Sequence, residues 1–429
     1  MFDNCGADDG TNCGFYMFIA DRAGNLSSGR LYAARMTHNE SVGPLYFDVS
    51  WVPLHSASVR DADVAGSLGL SFSDLMDYAP YNVSAAAGSA CPAGYSPYNL
   101  EGVAFECLRI RPGMEGLASV LETRRVAAIR GATTEFTKWE GLTFSPERGV
   151  LMTSLTAIRY GMEDAQKQGR PSAAYDTAGP NHIRAAYNPC GCVFELALQG
   201  GRADATGAAI GSGWVPTAMT DLLCGMPAQG AGAAGPLAAG ADSCDTELPA
   251  NPDNVAWMGG LDTLLIAEDT DYHVNNVLWA YAYGRGELQR ILSTPIGAES
   301  TSAYWVPDAL GNGWSYIVSS VQHPGAGAGG RGYAGYLGPI SFSSSLNSSL
   351  SPVVGRGEAK FDSITLAPAA LQNSVVATTK FWTRNSMQSI SYQTLARSGQ
   401  AFAGVIFGQL VDSKGQARIR SYLFSFQPS

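Results

Sequence analysis

Two distant segments of the chain carry the same local pattern, and that repetition limits the folds open to it. Trp139-Glu-Gly-Leu-Thr-Phe144 is followed by turn residues and then by Val150-Leu-Met152. Pro252-Asp-Asn-Val-Ala-Trp257 is followed by turn residues and then by Leu264-Leu-Ile266. Each copy starts with a carboxylate, runs into an apolar strand, turns, and returns as a second apolar strand. Repeats of this kind predict the blades of a β-propeller. The inner strands of a propeller face a central channel, so carboxylates at their starts converge on one axis. By that geometry Glu140 and Asp253, far apart in sequence, would share a metal.

Composition agrees with short strands joined by turns. Gly supplies 50 of the 429 residues, and only 15% are charged, against roughly 25% in ordinary globular domains. The runs Phe15–Ile19, Leu31–Ala34 and Leu45–Val52 read as strands. Residues 113–130 read as one helix, with Leu117, Val120, Leu121, Ala128 and Ile129 near helical spacing and Gly131 placed to cap it. Residues 225–242 and 325–332 read as Gly/Ala-rich loops. The fold class expected is therefore all-β, a propeller of about six blades, possibly incomplete, with inserted helices and long loops.

A formal net charge of −10 argues against nucleic acid or an anionic membrane as partner. It is compatible with carboxylates that hold cations. The eight Cys are even in number and lie mostly in local pairs, the pattern of loop-stapling disulfides and of an oxidising compartment. Cys91 reads as the partner of Cys107. Cys190 and Cys192 are too close to bridge each other, and a bridge from Cys224 to Cys244 would tie the ends of the loop between them. Sequons at Asn25, Asn39, Asn82 and Asn347 agree with secretion. No apolar window is long enough to span a membrane. Met1-Phe-Asp-Asn-Cys5 has neither the basic nor the apolar region of a signal peptide, so the chain is expected to start inside a longer protein.

A specific resemblance lies in the order of several strings. Glu122-Thr-Arg-Arg-Val-Ala-Ala-Ile-Arg-Gly-Ala-Thr-Thr-Glu-Phe-Thr-Lys-Trp-Glu-Gly-Leu-Thr-Phe144 is the longest. It is followed by Arg159–Asp164, Gly179–Arg184, Tyr187–Cys192, Ala267–Thr270, Asn275–Trp279, Thr294–Thr301 and Val321-Gln-His-Pro-Gly325. Together they resemble the cyanobacterial and algal branch of the PhoX-type alkaline phosphatases over roughly residues 30–340. The resemblance implies a β-propeller, calcium and ferric iron (Ca2+, Fe3+) in its channel, and hydrolysis of small organic phosphate esters by a secreted, periplasmic or extracellular monomer. Such cations suit oxygen ligands, and clustered cations neutralise and polarise a phosphoryl group.

Carried onto this sequence, the resemblance makes Glu140 a metal ligand opening an inner strand. Lys138 falls where relatives place an Arg near phosphate, and Lys supplies a point charge where Arg supplies a fork. Glu268 and Asp269 end an apolar strand and would bring one ligand into the channel, with Asp253 and Glu299 as further carboxylates. Arg159 and His323 would meet phosphate. The family's iron-binding Cys and acidic N-terminal ligands have no counterpart context here. Phe361–Thr365, Thr394–Gly399 and Phe407–Asp412 resemble the start of such a domain. The expected division is residues 1–355 as the propeller and 356–429 as either a ring-closing segment or a second copy. Two other functions stand beside phosphomonoester hydrolysis. One is a non-catalytic calcium-binding propeller or surface binding module. The other is a lactonase-like or phytase-like hydrolase using one or two calcium ions.

Overall fold

The computed structural model describes residues 2–4, 13–67, 69–85, 90–228, 241–308, 314–323, 332–341, 353–355, 358–360, 402–411 and 417–426. The fold is mostly β, 48% strand against 9% helix, in line with the short apolar runs of the sequence. The described strands close no propeller ring. They belong to two compact units. Unit 1 holds the described residues of Met1–Glu140 and Arg148–Cys224; unit 2 holds those of Gly141–Glu147, Gly225–Ala231 and Gly235–Ser429.

Unit 1 opens with strands β1 (Phe2–Asn4), β2 (Phe15–Arg22), β3 (Asn25–His38), β4 (Phe47–Pro53) and β5 (Val59–Arg60). Short helices α1 (Asp61–Ala65) and α2 (Phe72–Leu75) lead to β6 (Met76–Pro80), β7 (Ser96–Leu100) and β8 (Ala104–Ile110). Helices α3 (Glu115–Leu121) and α4 (Thr123–Ile129) precede β9 (Trp139–Ser145) and β10 (Val150–Leu155). Then come β11 (Gln166–Lys167), β12 (Arg170–Pro171), β13 (Cys192–Gln199) and β14 (Val215–Cys224). The boundary between the units falls inside β9, after Glu140.

The large sheet is a curled half-barrel with strand order β1-β2-β3-β4-β14-β13-β10-β9, and β5 pairs beside β3. It consists of two antiparallel meanders, β1–β4 and β9-β10-β13-β14. Only two residue pairs join them, Ala218↔Asp48 and Met219↔Phe47. Trp51 reinforces that junction by donating its indole N–H to the Pro216 carbonyl at 2.8 Å. Phe15 stacks on Trp139 at 4.8 Å between ring centroids, and Phe136 meets Trp139 edge-on at 4.2 Å. These rings and Trp51 are almost completely buried, so truncating one to Ala would cost about 3–5 kcal/mol.

The single helix expected over 113–130 is two helices. The chain breaks at Glu122, whose φ of −128° and ψ of 42° are not helical. Val126, Ala127 and Ala118 still pack onto Leu54, Leu75, Tyr98 and Leu108, so helical spacing holds across the break. Gly131 does cap α4. Its φ is +75°, Ala132 N–H donates to the Ala127 carbonyl, and Gly131 N–H donates to that of Ala128. This is the Schellman pairing, in which the left-handed position favours Gly.

Disulfides join Cys91 to Cys107, as expected, and Cys192 to Cys224. The bridge expected from Cys224 to Cys244 is therefore corrected. Antiparallel pairing sets Cys192 directly opposite Cys224 on β13 and β14, so the bridge follows the ladder and not the loop. Cys13, Cys190 and Cys244 are also disulfide-bonded.

Unit 2 holds β15 (Pro252–Met258), β16 (Thr263–Glu268), β17 (Val277–Ala282) and β18 (Glu287–Ser293), hydrogen-bonded in that order. Next are β19 (Glu299–Val306), β20 (Trp314–Gln322) and β21 (Tyr333–Ser341), a second sheet. Short hairpins β22 (Val353–Gly355) with β23 (Glu358–Lys360), and β24 (Phe402–Val411) with β25 (Ala417–Phe426), follow. Every residue of β16 and β17 is buried, as short unbroken apolar runs require. Leu265, Leu278, Trp305, Ile317 and Ile340 share the core. Both copies of the repeated motif are hairpins, β9–β10 and β15–β16. Asn347, Phe361–Thr365 and Thr394–Gly399 lie outside the described residues, as do most of the two Gly/Ala-rich loops.

Candidate functional site

In unit 1 the open end of the β9–β10 hairpin gathers Lys138, Glu140 and Arg159. Thr156 N–H donates to the Lys138 carbonyl at 3.1 Å, and the Thr137 hydroxyl donates to the Arg159 carbonyl at 2.8 Å. The antiparallel pairing thus brings residues some twenty positions apart to one end of the strand pair. Lys138 has φ of +46° and Tyr160 of +60°, a left-handed backbone that neither side chain favours. Such outliers concentrate where surrounding structure holds them for a purpose.

The Arg159 guanidinium lies 4.8 Å over the Tyr160 ring. Tyr160 stacks on Tyr175 at 5.0 Å, and Lys167 Nζ sits 5.8 Å and 5.6 Å from those two rings. Arg159 Nε is buried with no hydrogen-bond partner among the described residues. A buried donor without a partner costs about 1–3 kcal/mol, so this group is placed to meet an acceptor. Glu163, also buried, clamps the loop by accepting N–H bonds from Tyr160, Gln168 and Gly169 at 2.6–2.7 Å.

Glu135 lies close by in sequence and is only 2% exposed. Its oxygens accept from His182 N–H at 3.0 Å and from Ile183 N–H at 3.4 Å. Burial pushes its carboxyl well above the usual carboxylate range, against the lowering effect of those donors. Burial, together with the charge of Arg35, holds the His182 imidazole below its ordinary value. Asp176 is likewise raised by burial, with Asp164 and Glu163 adding to the shift. Glu135 and His182 both occur in the strings singled out above, yet nothing in their residue types marks them. Their signal is burial.

In unit 2, Glu268 is completely buried. Its Oε1 accepts from Ala250 N–H at 2.9 Å and from the Trp279 indole at 2.7 Å. Its Oε2 accepts from Val277 N–H at 2.8 Å. His273 Nδ1 lies 3.1 Å from both oxygens. These donors point hydrogens at both oxygens and occupy the directions a cation would need. Glu268 therefore braces the β16–β17 connection, a different task from the channel ligand expected of this strand end. Burial lowers the His273 pKa, but the hydrogen bond and charge of Glu268 outweigh it and leave it above its ordinary value.

The other residues expected in the site are half-buried or exposed. Asp253 sits in a register irregularity between Pro252 and Val255, and the adjacent Asn254 side chain accepts from Ser302 N–H. Asp269 follows β16 and donates its N–H to the Asn251 carbonyl at 3.3 Å. Glu299 pairs in register with Gln322, and its Oε1 lies 3.7 Å from His323 Nε2. His323 is thus beside a carboxylate, in an exposed turn with φ of +47°. Among the described residues no three His, Cys, Asp or Glu side chains are grouped to hold a metal. No described helix is long and apolar enough to cross a membrane.

Compared with protein-family models, curated proteins and solved structures, the chain matches none.

Proposed function

We propose that this chain is a PhoX-like phosphomonoesterase acting outside the cytoplasm. The observation that carries the reading is the pair of cations Lys138 and Arg159 at one strand end beside Glu140, within strings that resemble that family. A point charge and a stacked guanidinium suit a phosphate dianion. The Arg159 Nε–H, otherwise without an acceptor, would donate to a phosphoryl oxygen. The four-stranded meander β15–β18 has the make-up of a propeller blade and supports that finer fold. The disulfides support an oxidising compartment.

The calcium and iron implied by the resemblance fit these residues only in part. Glu140, Asp253, Asp269 and Glu299 are oxygen donors of the right chemistry. Glu268 is not, because N–H donors take up its oxygens. With no three-ligand group among the described residues, no catalytic step is derived through a metal. That same disagreement favours a second reading, a surface module that binds phosphate esters without cleaving them.

The test is hydrolysis of p-nitrophenyl phosphate at alkaline pH, with calcium and iron added or chelated. The expected result is turnover that chelation abolishes and that Glu140→Gln and Lys138→Ala reduce at least tenfold. Absence of turnover under every metal condition would overturn the enzymatic reading and leave the binding module. Full turnover in chelator would reject the metals.

A further inference from the structure

We propose that a cavity in unit 1 binds a small organic phosphate through three arginines. The cavity, of about 500 Å3, is lined by Arg35 from β3, Arg109 from β8 and Arg130 at the end of α4, with the hydroxyls of Ser96 and Thr206. No carboxylate lines it, and Ile110 and Ile129 supply an apolar wall. In a chain of net charge −10, such a concentration of guanidinium groups is a local reversal of sign.

Each arginine is held differently. Arg35 donates Nε–H to the Gly131 carbonyl at 2.6 Å and Nη2–H to the Arg130 carbonyl at 3.2 Å. Those acceptors end α4 and carry only partial charge, so the fork is fixed while its full charge stays unmatched. Arg109 bonds Asp77 at 2.7 Å and lies 4.7 Å over the Tyr95 ring. Asp77 is shared, because Arg111 Nε also reaches it at 2.9 Å. Arg130 is exposed, and the described residues pair no carboxylate with it. The Thr206 hydroxyl donates to Asp204 at 2.6 Å, so its proton is already engaged and the arginines carry the recognition of an oxyanion. The nearby charges are four guanidiniums (Arg35, Arg109, Arg111, Arg130) against three carboxylates (Asp74, Asp77, Asp204). The balance stays positive, as an oxyanion such as a phosphate monoester requires. Planar forks are the groups that recognise such oxyanions, and the aliphatic wall gives the ester's organic part a surface to cover.

Lys138, Glu140 and Arg159 do not line this cavity, so calorimetry on the full chain in chelator, with variants of each set, separates the two. In a Lys138→Ala background, which removes the point charge of the other site, phenyl phosphate is expected to bind once per chain and several-fold tighter than inorganic phosphate, because of the apolar wall. Removing one charge-assisted partner by Arg130→Gln should weaken binding about tenfold. Arg35→Lys, which keeps the charge but loses the fork, should weaken it less. Lys138→Ala should leave it unchanged. Thermal midpoints equal to that of the parent chain would show that Arg130→Gln folds. No saturable binding, or binding untouched by Arg130→Gln, overturns the proposal. Binding lost with Lys138→Ala also overturns it, by assigning the ligand to the other site. Binding without any p-nitrophenyl phosphate turnover sustains this site while the enzymatic reading fails.

Discussion

Glu135 in unit 1 and Glu268 in unit 2 are both almost sealed from water, yet they are satisfied in different ways. Glu268 receives three N–H donors at 2.7–2.9 Å and an imidazole at 3.1 Å. Glu135 receives only two backbone N–H groups, at 3.0 Å and 3.4 Å, and its carboxyl is driven upward by burial. Two carboxylates at similar depth are thus held by different numbers of donors. Glu268 is a strut between strand and loop, whereas Glu135 has the proton-holding tendency that marks functional sites.

The largest effect that sharpens this contrast should come from Glu268→Leu. Removing one member of a buried pair typically costs about 3–5 kcal/mol, and here it also orphans the Trp279 indole and two backbone N–H groups. Urea unfolding followed by tryptophan fluorescence should show a loss of that size. A loss under 1 kcal/mol would mean that Glu268 is not the brace described.

A smaller effect, about 1 kcal/mol, is expected of His273→Gln. The His273 pKa is raised in the folded state, so its contribution is complete below about pH 6.5, the unfolded value. It disappears as pH rises through the folded value. The parent chain and His273→Gln should therefore differ in stability in mild acid and converge in alkali.

Glu135 is distinguished by its pH profile. Its folded pKa is also raised, so the native state holds a proton that the unfolded chain releases near pH 4.3. Stability then falls as pH rises from about 4.3 to the folded value. Glu135→Gln should flatten that slope and leave the window above pH 6.5 to His273. An unchanged slope across pH 4–6 would break the comparison.

Much of the scaffold was legible beforehand, and the reasons are local. The runs at 139–152 and 252–266 are apolar, short and separated by turn residues, so each specifies its own hairpin. Gly131 could be placed as a cap because few residues suit the left-handed position. The break at Glu122 was hidden, because α3 and α4 bury one continuous set of side chains and the spacing carries through. The Cys224 partner was equally invisible, since it depends on the register of β13 against β14. Glu268 was the hardest to foresee. Its donors come from Ala250, His273, Val277 and Trp279, and a sequence names such residues without saying that they converge. The arginine cavity has no signature in the sequence either, because Arg35, Arg109 and Arg130 share no spacing until three separate elements assemble around it.

The narrow junction between β4 and β14 sets how the large sheet can come apart. A ladder of two residue pairs is a seam, with far fewer backbone bonds to break than the continuous pairings of β3 with β4 or β10 with β13. Solvent reaching the chain through partial opening would enter there first. Each meander would keep its own strands paired, while the Phe15–Trp139 stack and the Cys13–Phe136 backbone pair still tie the two together at the far edges. The amide protons of Phe47, Asp48, Ala218 and Met219 would exchange with deuterium ahead of those on either side, marking the line along which this half-barrel yields.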